Sequence, residues 1–481
     1  MDYLGWLLLG LLLGAGAAFL VAKFGKHASD DREKIAGLLR PHFHPLSTDQ
    51  ITISKREFPF RVRADLQRAI DRLFGEETEI LHFCGVRKEY SSEGLSLLDC
   101  LVESDGDPAF SVPLEYEDID VGDELPVRVL KLGLWLLQQD DVRFAVLLTP
   151  AGQYGHVTGI QFQVGTPNTP AGTKIAQQFF KQLEDAILQA ESYRGKVLSL
   201  EQSDYSYTGE STGITVHKLR HVDREQVILP ESTLRLLERN VIQFVGQREQ
   251  LARFQQATKK GILFYGPPGT GKTHTIHYLS RALAEHTTLL ISAEQVGLLA
   301  EYMTLARLLQ PSIVVLEDVD LIARDRANMH SPCDEVLLNK LLNEMDGLKQ
   351  EADILFILTT NRPETLEAAL ASRPGRVDQA IEFPLPNDSG RRKLVQLYSA
   401  GVTVGPDVVD EIVRRTDGVS AAFIKELMRR SVQFHIERNG TGEINSQDVA
   451  NALDEMLISG GSLNLNLLGA TGVEGKTVAE E

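Results

Sequence analysis

Cysteine is scarce: the 481 residues hold only Cys84, Cys100 and Cys333, and no two form a CxxC pair. That excludes a disulfide framework and a zinc ribbon, and it fits a reducing compartment for the bulk of the chain. Each cysteine is expected to pack as a small apolar residue rather than act as a reactive thiol. Positive charge is also in deficit, with 49 Lys and Arg against 67 Asp and Glu and a formal net charge of -18. Affinity for nucleic-acid phosphates comes mainly from clustered cations, so no nucleic-acid partner is expected. No HExxH occurs, which removes the zinc and general-base pair of that class of metalloprotease. Low-complexity and collagen-like bias are absent, and 43% hydrophobic with 24% charged residues is an ordinary globular composition. The length suits about three domains of ~100 to 200 residues each.

One uncharged apolar run stands out, "YLGWLLLGLLLGAGAAFLVA" from Tyr3 to Ala22. It is long enough for one helical crossing of a ~30 Å hydrocarbon core. A cleaved signal peptide is the alternative, and Ala15 to Ala17 resembles a cleavage site. The segment before the run carries Asp2 and no Lys or Arg, however, whereas signal peptides start basic, so a retained anchor is favoured. Lys23 and Lys26 follow the span. They predict a single-pass membrane protein with its N-terminus outside and the rest in the cytoplasm or the mitochondrial matrix. Gly10, Gly14 and Ala18 share one helix face, as in close helix pairs or as chance spacing in a Gly-rich run.

Beyond the anchor (1–24), residues 25–47 read as a juxtamembrane spacer, with Pro41 and Pro45 marking loop and with His42 and His44 as loop residues. Residues 48–220 read as an α+β domain. Val62, Leu66, Ala69, Ile70, Leu73 and Phe74 follow helical spacing, as do Ile175, Phe179, Leu183, Ala186, Ile187 and Ala190. Between them Val142 to Leu148 and the alternating Ile160, Phe162 and Val164 read as strands. No catalytic constellation is visible there, and a substrate or adaptor role follows from position alone. Pro230 opens a helix with an acidic first turn, after which strands and helices alternate to Pro386, as in a parallel α/β sheet over 221–388. Residues 389–458 are helical in pattern, and 459–481 form a Gly-rich flexible tail.

The chemistry-bearing stretch is "GILFYGPPGTGKTHTIHYL", in which Gly266-x-x-x-x-Gly271-Lys272-Thr273 lies between an apolar strand and a helix. This is the setting of a P-loop. Gly266, Pro267, Pro268, Gly269, Thr270 and Gly271 let backbone N–H groups wrap phosphates, and the following helix directs its positive end at them. Lys272 would reach the β and γ phosphates, Thr273 would bind Mg²⁺, and His274 closes the binding set. His274 and His277, one turn apart, are better explained by a packed or solvated helix face than by a metal site.

Further stretches make the resemblance specific over roughly residues 225 to 458. "GPPGTGKT" is similar to the Walker A of the AAA family of ring ATPases, and "SIVVLEDVD" to its Walker B. "LLNEMDGL" resembles the helix before the sensor strand, "TTNRPETLEAALASRPGRVD" the second region of homology, and "TDGVSAAFIKEL" the start of the helical lid. The resemblance implies an α/β P-loop NTPase (AAA+) domain with a C-terminal helical lid, here preceded by the α+β domain and one transmembrane helix. It implies ATP and Mg²⁺ as ligands and a homo-oligomer, usually a hexamer, acting on protein clients. By family position Asn361 would place the attacking water. Arg373 and Arg376 would be arginine fingers reaching the γ-phosphate of a neighbouring subunit, where a guanidinium stabilises charge on the transferring phosphoryl group.

Two departures leave the function open. The family order at the Walker B end is Asp then Glu, whereas this chain has Glu317 then Asp318. Glu317 falls at the Mg²⁺ position and Asp318 at the water-activating position, one methylene short. The chain is therefore read as an ATPase that remodels or unfolds protein, with a nucleotide-gated scaffold of little turnover, or the motor of a separate protease, as alternatives. The aromatic-apolar-Gly pore loop is not recognisable either, and "QVGL" (Gln295 to Leu298) is either its nearest counterpart or a simple turn.

Overall fold

The computed structural model describes residues 33–459, apart from 77, 89–94, 103–107, 154–155, 202–204, 207–208, 211–212, 325–342, 345–346, 348–351, 365–376, 439 and 441. The expected anchor, the helix expected around 341–348, Arg373, Arg376, Cys333 and most of the expected tail therefore lie outside the described residues or on their margins. Among the described residues no helix is long and apolar enough to cross a membrane.

The described residues divide into two compact units, 33–118 with 128–187, and 119–127 with 188–459. In the first unit the elements are α1 (Ile35–Phe43), β1 (Ile51–Pro59), α2 (Arg63–Glu76), β2 (Glu79–Arg87), α3 (Leu97–Leu101), β3 (Phe110–Val112), β4 (Glu115–Ile119), β5 (Val127–Gln139), β6 (Val142–Gln153), β7 (His156–Pro167) and α4 (Pro170–Gln189). The strands form one sheet in the order β1-β7-β6-β5-β2-β3, with β4 also on β5. Period-2 alternation gives this sheet two apolar faces. Trp135, Leu137, Phe144, Val146 and Leu148 join Leu66, Ile70, Phe74, Phe179 and Leu183 of α2 and α4. Leu134, Leu136, Ala145 and Leu147 instead meet Ile35, Leu39, Phe43, Leu97 and Leu101 of α1 and α3. Both helices read from apolar spacing are present. Cys84 and Cys100 are buried free thiols, and burial pushes Cys100 up to about 12.

Residues 25–47 differ from a spacer, because Ile35, Leu39 and Phe43 stand one turn apart and all three are buried. His42 is correspondingly not a loop residue. It is buried in α1, and its Nε2–H donates to the Phe144 carbonyl at 3.0 Å.

The second unit holds β8 (Val197–Leu200), the hairpin of β9 (Tyr205–Ser206) and β10 (Gly209–Glu210), β11 (Ile214–Val216), α5 (Glu231–Leu237), β12 (Lys260–Tyr265), α6 (Lys272–Ala282), β13 (Thr287–Ile291), α7 (Leu299–Leu308), β14 (Ser312–Leu316), α8 (Val319–Arg324), β15 (Ile354–Thr360) and β16 (Gln379–Glu382). Its sheet runs β11-β8-β13-β14-β15-β12-β16. All pairings from β8 to β16 are parallel. Each residue of β14 and β15 is buried, as expected for parallel strands covered on both faces. Parallel order puts the carboxyl ends of β12, β14 and β15 on one edge, the usual ligand edge of an open α/β sheet.

Residues 197–216 were expected in the α+β domain, but β8 and β11 extend this sheet. The free edge of β13 takes β8 in register, Thr288 opposite Val197 and Leu289 opposite Leu198. Gln295 Nε2 donates to the Leu200 carbonyl at 2.7 Å, and the Leu200 N–H donates to Tyr302 Oη at 2.7 Å. Four helices follow, α9 (Asp388–Tyr398), α10 (Pro406–Arg415), α11 (Ala421–Glu437) and α12 (Ser446–Asp454). They enclose a core of their own that includes Leu394, Ile412, Phe423, Leu427, Val449 and Leu453.

Candidate nucleotide site

The P-loop leaves the buried strand β12 at Gly266, whose φ of 145° suits glycine and whose added Cβ would lie 2.2 Å from the Phe383 carbonyl. A side chain there would force the loop off β16. At Gly269 (φ 75°) an added Cβ would meet Ser420 Oγ at 2.9 Å. The lid helix α11 rests on this point: Ser420 caps it by accepting from the Phe423 N–H, and the Ala422 N–H donates to the Gly269 carbonyl at 3.1 Å. Thr270 Oγ1 donates to the Pro267 carbonyl at 2.8 Å, which holds the loop closed on itself.

Helix α6 begins at Lys272 after Gly271, so the free N–H groups of its first turn face the loop. Lys272 is buried, and Nζ donates to the Gly266 and Pro267 carbonyls at 2.8 and 3.0 Å. Burial lowers its pKa to about 8, against the opposing pull of the Asp318 and Asp320 carboxylates. Thr273, next in sequence, donates from Oγ1 to Glu317 Oε1 at 3.0 Å.

Glu317 and Asp318 follow the carboxyl end of β14, and Asn361 follows β15. The Asp318 backbone is left-handed, with φ of 49°. Its N–H donates to Thr359 Oγ1 at 2.9 Å, and Asn361 Nδ2 donates to its Oδ1 at 2.9 Å. The structure thus brings Lys272, Thr273, Glu317, Asp318 and Asn361 to one sheet edge. Arg373 and Arg376 lie outside the described residues.

A cavity of about 410 Å³ opens beside these groups. Pro268 to Thr273, Asp318 and Asn361 are on its polar side, and Val227, Ile228, Leu394, Tyr398, Ala421 and Ala422 are among its other lining residues. His274 lies on the wall, its Nε2–H donating to the Gln226 carbonyl at 3.2 Å. Burial lowers the pKa of both His274 and His277. Among the described residues no cluster of His, Cys, Asp and Glu is arranged to hold a metal.

Residues 262–385 match the family model described as ATPase family associated with various cellular activities (AAA). That segment is an AAA-family ATPase domain. Among its relatives, a proteasome-activating nucleotidase of Methanothermobacter thermautotrophicus is 31% identical over 262 residues, 51% of this chain and 62% of that protein. The ATP-dependent zinc metalloprotease FtsH 3 of Synechocystis is 32% identical over 244 residues, 48% of this chain and 38% of that protein. The 26S proteasome regulatory subunit 10B of Dictyostelium discoideum is 33% identical over 189 residues, 37% of this chain and 48% of that protein. The chain thus spans between 38% and 62% of the length of these three relatives.

Within this AAA module the lid residues Leu394 and Tyr398 and the buried acid Asp320 escaped the sequence reading. Leu394 and Tyr398 lie on an amphipathic helix where one wall-lining turn looks like any core turn. Asp320 had a signal, a third carboxylate two residues after Asp318, but its partners lie across the sheet. The "QVGL" stretch lies within a 3-10 turn, Ala293–Leu298, with Val296 buried and Gln295 bonded to β8. It is an ordered connection and presents no aromatic-apolar grip.

Proposed function

We propose that this chain hydrolyses ATP as an oligomeric ring, a hexamer on the family resemblance, and uses the turnover to remodel or unfold protein clients. The observation that carries the reading is the contact of Asn361 Nδ2 with Asp318 Oδ1 beside the Thr273–Glu317 pair. A polar amide and a carboxylate then face the place where water attacks, next to two hard oxygen donors.

The donor set suits Mg²⁺, which takes oxygen ligands and keeps several waters. Thr273 Oγ1 would bind it directly, with Glu317 behind its water shell. When bound, Mg²⁺ would neutralise charge on the β and γ phosphates. Lys272, turned from the loop carbonyls, would hold the same phosphates. Asp318 would accept a proton from the attacking water as the water oxygen bonds to the γ-phosphorus and the bond to the bridging oxygen breaks, that oxygen leaving with ADP. Asn361 orients that water and fixes the Asp318 carboxylate. Arg373 and Arg376 from a neighbouring subunit would stabilise the charge of the transferring group.

Asp318→Asn keeps shape and loses the proton acceptor. Phosphate release should fall by about 100-fold or more, with ATP binding and assembly intact; phosphate release at the parent rate would overturn the assignment. The same variant should trap clients for identification. A nucleotide-gated scaffold with little turnover is the second reading, favoured by the short, left-handed Asp318, and negligible phosphate release by the parent chain would select it. The names of the proteasome-linked relatives also suit a motor that serves a separate protease.

Localisation enters on the sequence alone: residues 3–22 hold the chain in a membrane as a single-pass anchor, with the N-terminus outside and the ATPase module in the cytoplasm or mitochondrial matrix.

A further inference from the structure

We infer that Asp320 is a positioning residue for hydrolysis: its buried carboxylate holds Thr360 and the backbone of Asn361, and so aims the Asn361 amide at Asp318. The inference rests on the ATP-hydrolase reading of the site.

Asp320 lies in α8, two residues beyond Asp318, and is 2% exposed. Burying a carboxylate is strongly unfavourable unless its oxygens are hydrogen-bonded. Here Oδ1 accepts from Thr360 Oγ1 at 2.9 Å and from the Asn361 N–H at 3.1 Å. Thr360 Oγ1 in turn accepts from the Arg362 N–H at 3.0 Å. The two short segments interlock: Asp318 N–H with Thr359, Asp320 with Thr360 and the Asn361 backbone, Asn361 Nδ2 with Asp318. Without Asp320, the end of β15 keeps its sheet pairing only up to Thr360. Asn361, one residue past the ladder, then loses the bond that sets where its side chain starts. A displacement of about 1 Å at a reacting centre can lower a rate by ~100-fold.

A competing role is electrostatic, because the Asp320 charge also supports the charge of Lys272. Both geometric bonds end on a single oxygen, and that separates the roles. Asp320→Asn can place its amide oxygen at Oδ1, keeping both bonds while removing the charge. Asp320→Ala removes both.

The test uses the full chain and four measurements: kcat and KM for ATP, fluorescent-nucleotide Kd, and hydrogen exchange over residues 354–361 without nucleotide. Asp320→Ala should lower kcat by about 10- to 100-fold, with KM and Kd little changed and with faster exchange at Asn361. Asp320→Asn should restore most of kcat and the slow exchange. In an Asn361→Ala background the Asp320→Ala change should add little, since both act on one element. Should Asp320→Ala not fold, Thr360→Val breaks one of the same bonds and Thr360→Ser keeps it, with the corresponding outcomes. Parent kcat in Asp320→Ala, additive losses with Asn361→Ala, or a raised Kd in Asp320→Asn equal to that in Asp320→Ala would each overturn the positioning role. If the parent chain binds ATP but releases no phosphate, the hydrolase reading fails. The exchange data still decide whether Asp320 holds Asn361, and unchanged exchange in Asp320→Ala counts against it.

Discussion

Exchanging the two acids, Glu317→Asp with Asp318→Glu, gives the order usual in the family, and the geometry predicts that it damages this chain. Glu317 Oε1 meets Thr273 Oγ1 at 3.0 Å. Losing one methylene retracts the carboxylate by about 1.5 Å, which takes the pair outside hydrogen-bond range. At the neighbouring position the added methylene drives the carboxylate about 1.5 Å beyond its present place, where it meets Asn361 Nδ2 at 2.9 Å. The backbone adds to this. Asp318 sits at φ 49°, a conformation that asparagine and aspartate tolerate and that penalises other side chains by roughly 1–2 kcal/mol. Misplacement on this scale corresponds to about a 100-fold fall in kcat. Nucleotide affinity should hold, because the P-loop and Lys272 are untouched. Phosphate release and fluorescent-nucleotide titration, run on the double variant and both singles, give the comparison. A swapped chain that releases phosphate at or above the parent rate would refute the reasoning and show that the reversed order is a slow form of the family chemistry.

Lys272 gives a pH dependence. Its pKa without nucleotide is lowered to about 8 by burial, while phosphates favour the charged form, so binding above pH 8 takes up a proton. Affinity should be level below pH 8 and weaken by up to about tenfold per pH unit above it, with Lys272→Arg staying level; affinity unchanged to pH 10 in the parent chain would contradict this. Arg376→Ala should bind ATP yet lose most turnover, and mixing it with Lys272→Ala should restore some activity at interfaces that pair an intact P-loop with an intact finger. No rescue in confirmed mixed rings would exclude action in trans. Full-length protein should resist alkaline extraction from membranes, whereas a chain starting at Ser29 should not; soluble full-length protein would remove the anchor.

Much of the fold is readable because its signals are local. The stripe from Leu66 to Phe74 becomes α2, and the alternation through Phe162 and Val164 becomes β7, since periodicity and burial agree within a few residues. The P-loop is equally local, being a strand, six loop residues and a helix in one stretch. What periodicity missed depends on distant partners. Residues 197–216 have no strong pattern of their own. They become β8 and β11 because the parallel edge of β13 supplies hydrogen-bond partners and because Gln295 and Tyr302 hold Leu200 from across the edge. Similarly, two prolines made 25–47 look like a loop, yet Ile35, Leu39 and Phe43 find an apolar sheet face that only the folded β5 and β6 provide.

The acidic pair shows why site chemistry is harder to read than site location. From spacing alone, Glu317 and Asp318 sit where two acids belong, and the order looks like a defect of reach. The folded chain adds a term that spacing does not carry. A left-handed turn at Asp318 changes the direction of Cα–Cβ, so side-chain length no longer measures reach by itself. In the same turn the Asp318 N–H meets Thr359, and two residues on Asp320 meets Thr360 and Asn361. The short acid, the turn and the buried third carboxylate are therefore one arrangement. Aspartate is the acidic residue that tolerates the turn, and the turn lets Asn361 reach it. Restoring either acid to family length changes one part of that arrangement while leaving the others in place.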